Sequence, residues 1–363
     1  MTVSATIHLK ALSHNLQIIR SHTSAKIVAM VKANAYGHGL LPVAQFLEKD
    51  PLVSMLAVAN TEEAILLRQA GIQKDILIMM GFLNLAELNA AMKQACQVVI
   101  HCVEQIEVLE KGTDGSISAW LKLDLGMHRL GFSASEAGSA YQRLQACPIV
   151  KKPLRFLTHF PSGDEKATAQ QAKQFEILTT EWLGEKSLSN SINLLSNTTI
   201  SNDWVRPGIM LYGVSPIQNK TASDLDLHPV LTLRATVVAI RHLKKGDPIG
   251  YDGTWICPED LSIAIIGIGY GDGYPRSAQS GTPVLIRGQY ASLVGRVSMN
   301  MIAVDLRGLK ILPQVGEEVI LWGEGLPVEK IAESAGTIPY ELFCRLSTSV
   351  KFRYVDDLSG SIF

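Results

Sequence analysis

Four residues stand where a reactive side chain would be useful. Lys32 ends an apolar run in AMVKANAYGHG and is followed by Ala33, Gly37 and Gly39, small residues that let backbone pass close to a ligand. A partly desolvated lysine amine at a strand end is a nucleophile toward a cofactor aldehyde; a solvated surface lysine is the plainer alternative. His159 closes the apolar stretch LRFLTHF, where a satisfied structural histidine is the competing reading. Arg206 precedes Pro207-Gly208-Ile209, a backbone suited to offering amides to phosphate; the alternative is a surface ion-pair partner. Tyr251 lies in Ile249-Gly250-Tyr251-Asp252. With an ordinary pKa of about 10, its phenol is a base near neutrality only where the surroundings favour the phenolate; otherwise it is a tyrosine packed beside a β-turn.

Such residues need a scaffold. Short apolar runs at 27–31, 55–59, 76–80, 98–101, 119–123, 154–158, 192–195 and 209–212 are eight candidate strands. Between them, 61–70, 83–95, 133–146 and 167–183 repeat apolar residues every three to four positions, with Thr61, Asn84 and Ser133 near cap positions. Strand-then-helix alternation at this rhythm implies parallel strands with crossover helices, and eight units imply an α/β fold, a closed (β/α)8 TIM-type barrel over residues 1–230. Reactive groups in such a barrel collect at the C-terminal ends of the strands, which is where Lys32 and His159 fall. Beyond Pro229 the runs 231–243, 263–269, 283–287, 301–306 and 319–321 are separated by Gly- and Pro-bearing turns, so a mostly antiparallel β domain is expected over 231–363, with one helix at 328–335.

The 363 residues exceed what one core usually holds, in keeping with two domains. Thirty-three basic against 34 acidic residues give a net charge of −1, so no global field favours nucleic acid or an anionic membrane. No leader-like start and no run near the ~20 apolar residues of a bilayer span are present, and a cytoplasmic protein is expected. Cys96, Cys102, Cys147, Cys257 and Cys344 show no C-x-x-C pair and no histidines at ligand spacing, so structural thiols and no metal are expected.

The segment VKANAYGHG resembles the pyridoxal 5'-phosphate (PLP) lysine motif of alanine racemases. The resemblance continues through KLDLGMHRLGF, THFPSGDE, Asn197-Thr198, VRPGIMLYG, GYDGTW, GYGDGYPR and GRVSMN, and the chain is identified as a member of that family. The resemblance implies that Lys32 holds PLP and is the base for D-alanine, and that Tyr251 removes the proton from L-alanine. His159 then stands between Tyr251 and Arg206 in a cationic relay, and Arg206 also bonds the pyridine nitrogen. Cofactor-binding roles fall to Tyr36, Asn197, Thr198, Gly208, Ile209 and Tyr340. Arg129 orients the substrate carboxylate with the Met299 backbone of the partner subunit; Lys122 matches a lysine often carbamylated. Tyr270 and Arg296 line the substrate entrance, with Asp164 opposite. The resemblance further implies a homodimer with shared active sites, supplying D-alanine for peptidoglycan.

Asn300 stands where the family usually has aspartate, Thr198 where it usually has serine, and the 199–204 loop is short. Other readings are a broad-specificity or serine racemase, a non-catalytic PLP carrier, which would generally end after the barrel, and a related decarboxylase.

Overall fold

The computed structural model describes residues 3–112, 114–195, 200 and 202–356. The chain forms two compact units. One runs from Leu16 to Leu211 apart from Tyr36–His38; the other joins those three residues and the chain up to Asn15 to everything from Tyr212 onward. This division differs from a single cut at 230, because the first strand pairs with strands near the other end of the sequence.

In the first unit eight parallel strands run side by side in the order Trp204–Val205, Lys26–Met30, Val53–Val58, Asp75–Ile78, Gln97–Ile100, Ile117–Lys122, Val150–Leu157 and Lys186–Ser187. The ring is brought nearly to closure by Asp203 N–H donating to Lys186 O (2.9 Å) and Arg206 N–H to Ser189 O (3.0 Å). Most strand residues are buried on both faces, as sequences such as QVVI and DILI require of a helix-covered parallel sheet. Helices lie between the strands, and Asn60, Asn84 and Asp164 cap three of them by accepting from Glu63, Glu87 and Ala167 amides at 2.8–3.0 Å. The cap near Thr61 is thus its neighbour Asn60.

Six of the eight expected strands form, and the last two are corrected. Residues 191–194 form a helical turn because the Asn190 side chain accepts from the amides of Ile192 and Asn193, and 209–212 form a 3-10 turn after Pro207-Gly208. The true seventh and eighth strands are only two residues each, too short to carry a period.

In the second unit the strands Leu261–Ile266, Ile302–Asp305, Gln289–Val294, Pro283–Ile286, Glu318–Trp322, Leu231–Leu243, Ser4–His8 and Lys351–Val355 form a sheet in that order. The long strand Leu231–Leu243 also pairs back onto Leu261–Ile266, with a bulge between Val237 and Ala239. All pairings are antiparallel except Ser4–His8 with Lys351–Val355. The helix Val328–Ala335 forms as expected. Among the described residues no helix is long and apolar enough to cross a membrane.

Candidate active site

The barrel unit gathers five basic groups at the C-terminal ends of its strands. Lys32 follows Lys26–Met30 by two residues, Lys122 ends Ile117–Lys122, Arg129 lies on the following loop, His159 lies two beyond Val150–Leu157, and Arg206 directly follows Trp204–Val205. They are close enough to act on one another's protonation. Burial, then Arg206, Lys122, Arg129 and Lys32, push the His159 imidazole down to about 3, so it is neutral. In the expected relay the charge therefore resides on Arg206 and not on His159.

Lys122 is 6% exposed. Burial, then Arg206, Arg129 and Lys32 against the opposing pull of Asp124, bring it down to about 8. Arg206, 3% exposed, loses solvation and is lowered to about 10, still protonated at neutral pH. Its Nη1 donates to Ser187 O (2.8 Å) and Ser187 Oγ (2.5 Å), and its Nη2 to Thr158 O (2.5 Å) and Leu188 O (3.4 Å).

Local backbone chemistry sets these positions. After Lys32, residues Ala33, Asn34, Ala35 and Tyr36 all have φ of 52–54°, a left-handed turn costing L-residues roughly 1–2 kcal/mol each. Asn34 offsets part of that cost: its Oδ1 accepts from Leu40 N–H (2.8 Å), its carbonyl from Gly39 N–H (3.0 Å), and its amide donates to Glu63 Oε1 (3.2 Å). The Arg129 loop is tied by Asp124, which accepts the amides of Gly126, His128 and Arg129 at 2.9–3.2 Å. Burial works against that carboxylate, yet these donors hold it below its ordinary range. Gly208 N–H donates to the buried Ser191 Oγ (2.9 Å), close to Ile209. Asp164 is engaged as a helix cap. Asn197 and Thr198 lie outside the described residues.

The β unit carries the remaining candidates in two groups. Tyr36 stacks on Tyr212 (4.9 Å between ring centres) and tilts against Tyr340 (5.7 Å). Burial, with Tyr340 and Cys344 nearby, raises the Tyr36 phenol, and burial pushes Tyr340 up to about 12, so both are hydroxyl donors. Tyr251, in contrast, is 63% exposed. It starts the turn Tyr251–Gly253 between the short strands Pro248–Ile249 and Trp255–Ile256, and Gly250 at φ 71° allows that turn. Tyr251, Met299 and Asn300 border an open groove of about 460 Å³. Tyr270 N–H donates to Ser298 O (3.1 Å), placing Tyr270 beside the same segment, and Arg296 pairs with Asp252. Asn300 Nδ2 reaches Asp272 Oδ2 at 3.4 Å, a contact that an aspartate at 300 would turn into a repulsion between two carboxylates.

Sequence reasoning passed over Asp124, Ser187, Ser191 and Tyr212. Asp124, two residues before Gly126, carries the side-chain-to-backbone turn signal that could have exposed it; the others are recognisable only by what they touch.

The donors suit PLP. In the barrel unit a strand-end amine can hold its aldehyde, the Arg206 guanidinium can meet a ring nitrogen, the Gly208 and Ile209 backbone can serve phosphate, and a cationic cluster can balance several negative charges.

The family model for the alanine racemase N-terminal domain matches residues 7–216, and that for the C-terminal domain matches 230–354. The chain is 46% identical to an alanine racemase of Aeromonas hydrophila, over 97% of this chain and 99% of that one. It is 45% identical to one of Coxiella burnetii, over 96% and 98%. Among solved structures it is similar to the biosynthetic alanine racemase from Pseudomonas aeruginosa, with a TM-score of 0.93 and 39% identity over 98% of this chain and 100% of that one. It is also similar to an alanine racemase from Bartonella henselae with covalently bound pyridoxal phosphate, with a TM-score of 0.87 and 28% identity over 98% and 100%.

Proposed function

Since the chain belongs to the alanine racemase family, isomerases acting on alanine, we propose that it interconverts L- and D-alanine with PLP, using Lys32 and Tyr251 as opposed bases. The observation that carries this reading is the cluster of Lys32, Lys122, Arg129, His159 and Arg206 at the barrel's strand ends. PLP, when bound, supplies an electron sink that makes the substrate Cα proton removable.

Lys32 Nζ holds the cofactor aldehyde and moves the Cα proton on one face; Tyr251 Oη moves it on the other, because inversion needs one base on each side. Arg206 directs Nε–H at the pyridine nitrogen. A guanidinium does not surrender its proton, so Arg206 would leave that nitrogen unprotonated and temper the electron sink the cofactor supplies. Neutral His159 stands between Arg206 and Tyr251 and links the two.

Tyr36, Asn197, Thr198, Gly208, Ile209 and Tyr340 hold the phosphate end. Arg129 takes the alanine carboxylate, and Lys122 supports it as a carbamate. Lys122 amine adds to CO2 with loss of one proton, and the resulting anion relieves the repulsion among Lys32, Arg129 and Arg206. Tyr251 and Met299 come from the partner subunit of a homodimer, in keeping with their 63% and 58% exposure. Tyr270 and Arg296, with Asp164, border the entrance. A cytoplasmic protein feeding peptidoglycan completes the reading. The carrier alternative has no use for residues 230–354.

Chiral analysis of L-alanine incubated with purified protein is the test. The wild type should yield D-alanine, and Lys32→Ala should lose both turnover and the visible absorbance of lysine-bound cofactor. Tyr251→Phe should keep the colour and slow turnover by about 10²–10⁴. Full activity in Tyr251→Phe would overturn the two-base assignment; comparable wild-type turnover of serine or lysine would favour the broad-specificity reading.

A further inference from the structure

Two histidines with no role in the mechanism meet on the β unit. His14 lies on the helix Leu9–Ser21, and His228 lies two residues after Asp226 in the loop before Leu231–Leu243. Their rings stack with centres 3.7 Å apart and planes 6° from parallel. His14 Nε2 lies 3.8 Å from the Asp226 carboxylate and 2.7 Å from the Asp226 carbonyl oxygen. One ligand atom from each of the three residues lies within 4.8 Å of the others.

We propose that His14, Asp226 and His228 form a binding site for a divalent transition-metal ion, best suited to Zn²⁺. Two imidazoles and one carboxylate match the preferences of Zn²⁺, Co²⁺ and Ni²⁺, whereas Mg²⁺ and Ca²⁺ prefer all-oxygen shells. Bonds of about 2.0–2.2 Å place tetrahedral ligands roughly 3.3–3.6 Å apart. The present spread, up to 4.8 Å, exceeds that by about 1.2–1.5 Å, a gap closed by rotation of the imidazoles together with the exposed Asp226 side chain.

The frame is already ordered. Buried Asn15 clamps His228 from both sides, its Nδ2 donating to His228 O (2.9 Å) and its Oδ1 accepting from His228 N–H (2.8 Å). Asp226 occupies a left-handed conformation at φ 53°, which aspartate tolerates, and Leu227 N–H donates to Ala222 O (2.9 Å). Binding therefore orders little new chain, but the two rings, now stacked in nearly parallel planes, must turn so that their nitrogen lone pairs converge, and the hydrogen bond from His14 Nε2 to the Asp226 carbonyl is given up. Asp226, 74% exposed at its side chain, opens the site to solvent, and water completes the coordination. An ion here staples positions 14 and 228, and so stabilises the β unit without touching the catalytic chemistry.

Untagged PLP-loaded protein should be titrated with ZnCl2 by calorimetry and melted with and without Zn²⁺. Expected are one saturable Zn²⁺ per chain at low micromolar concentration, a raised Tm reversed by EDTA, and unchanged racemase activity. Co²⁺ should give ligand-field absorption bands of a nitrogen- and oxygen-bound ion. Loss of an outer-shell partner alone weakens metal sites about 10–100-fold, so His228→Gln and Asp226→Asn should weaken Zn²⁺ binding by more than about a hundredfold. Absence of saturable Zn²⁺ binding, or binding undiminished in Asp226→Asn, overturns the proposal. Asp226 is exposed, so that variant decides the question even if His228→Gln fails to fold.

Discussion

Lys122 shows how far one residue's chemistry depends on its neighbours. Its folded pKa lies at about 8 against an ordinary 10.5, so the uncharged amine is scarce at pH 7, near half at pH 8 and dominant at pH 9. The unfolded chain keeps that proton up to about 10.5, so the residue's drag on stability is present below pH 8 and is lifted as pH rises from 8 to 10.5. Carbamate formation consumes the neutral amine. Bicarbonate added to CO2-free enzyme should therefore raise activity more at pH 8–9 than at pH 7, with a ¹³C carbamate signal from labelled bicarbonate that Lys122→Ala lacks. A flat response with no carbamate signal would refute modification. Lys122 was legible through its motif, whereas its isolation among three other cations was not, because Arg129 and Arg206 reach it only through the fold.

Among the elements, the strand starts of the barrel are held by side chains rather than by turns. Arg155, on Val150–Leu157, donates to Glu185 (2.8 Å) and Gln97 (2.9 Å), and its guanidinium lies 5.4 and 5.5 Å from the ring centres of Trp120 and Trp204. Glu185 also accepts from Lys26 (2.6 Å) and Trp204 (2.9 Å). Burial opposes its charge, yet these donors hold it at about 2, so their stabilisation is present above pH 4.5 and lost as pH falls from there toward 2. The N-terminal end of a TIM-type barrel serves stability and the opposite end chemistry. Arg155→Ala should lower stability by roughly 1–3 kcal/mol, discounted for partial exposure, with kcat within about twofold of wild type. Urea midpoints and turnover measure the two halves of that expectation, and a large fall in kcat at unchanged stability would contradict it. Periodicity revealed six strands of this barrel but missed Lys186–Ser187 and Trp204–Val205, whose residues are chosen for this polar network and for closure.

For the molecule as a whole, the proposed role of the exposed Tyr251 calls for a second copy to complete the site. Lys32→Ala and Tyr251→Phe homodimers, the first inactive and the second at no more than about a hundredth of wild-type turnover, should regain about a quarter of wild-type activity after mixing and exchange, since half the dimers are then mixed and each carries one intact site. Confirmed exchange without recovery would place both bases in one chain.

Sequence alone determined the alternating and the turn-rich halves, the family, and the residues at strand ends, because hydrophobic period and short motifs are local properties of a chain. Only the tertiary structure decided that Ser4–His8 pairs with strands beyond residue 230, that His159 is neutral, that Asn300 faces Asp272, and that His14 meets His228. Each of these is a contact or a field between residues far apart in sequence, and neither exists until folding brings them within a few ångströms.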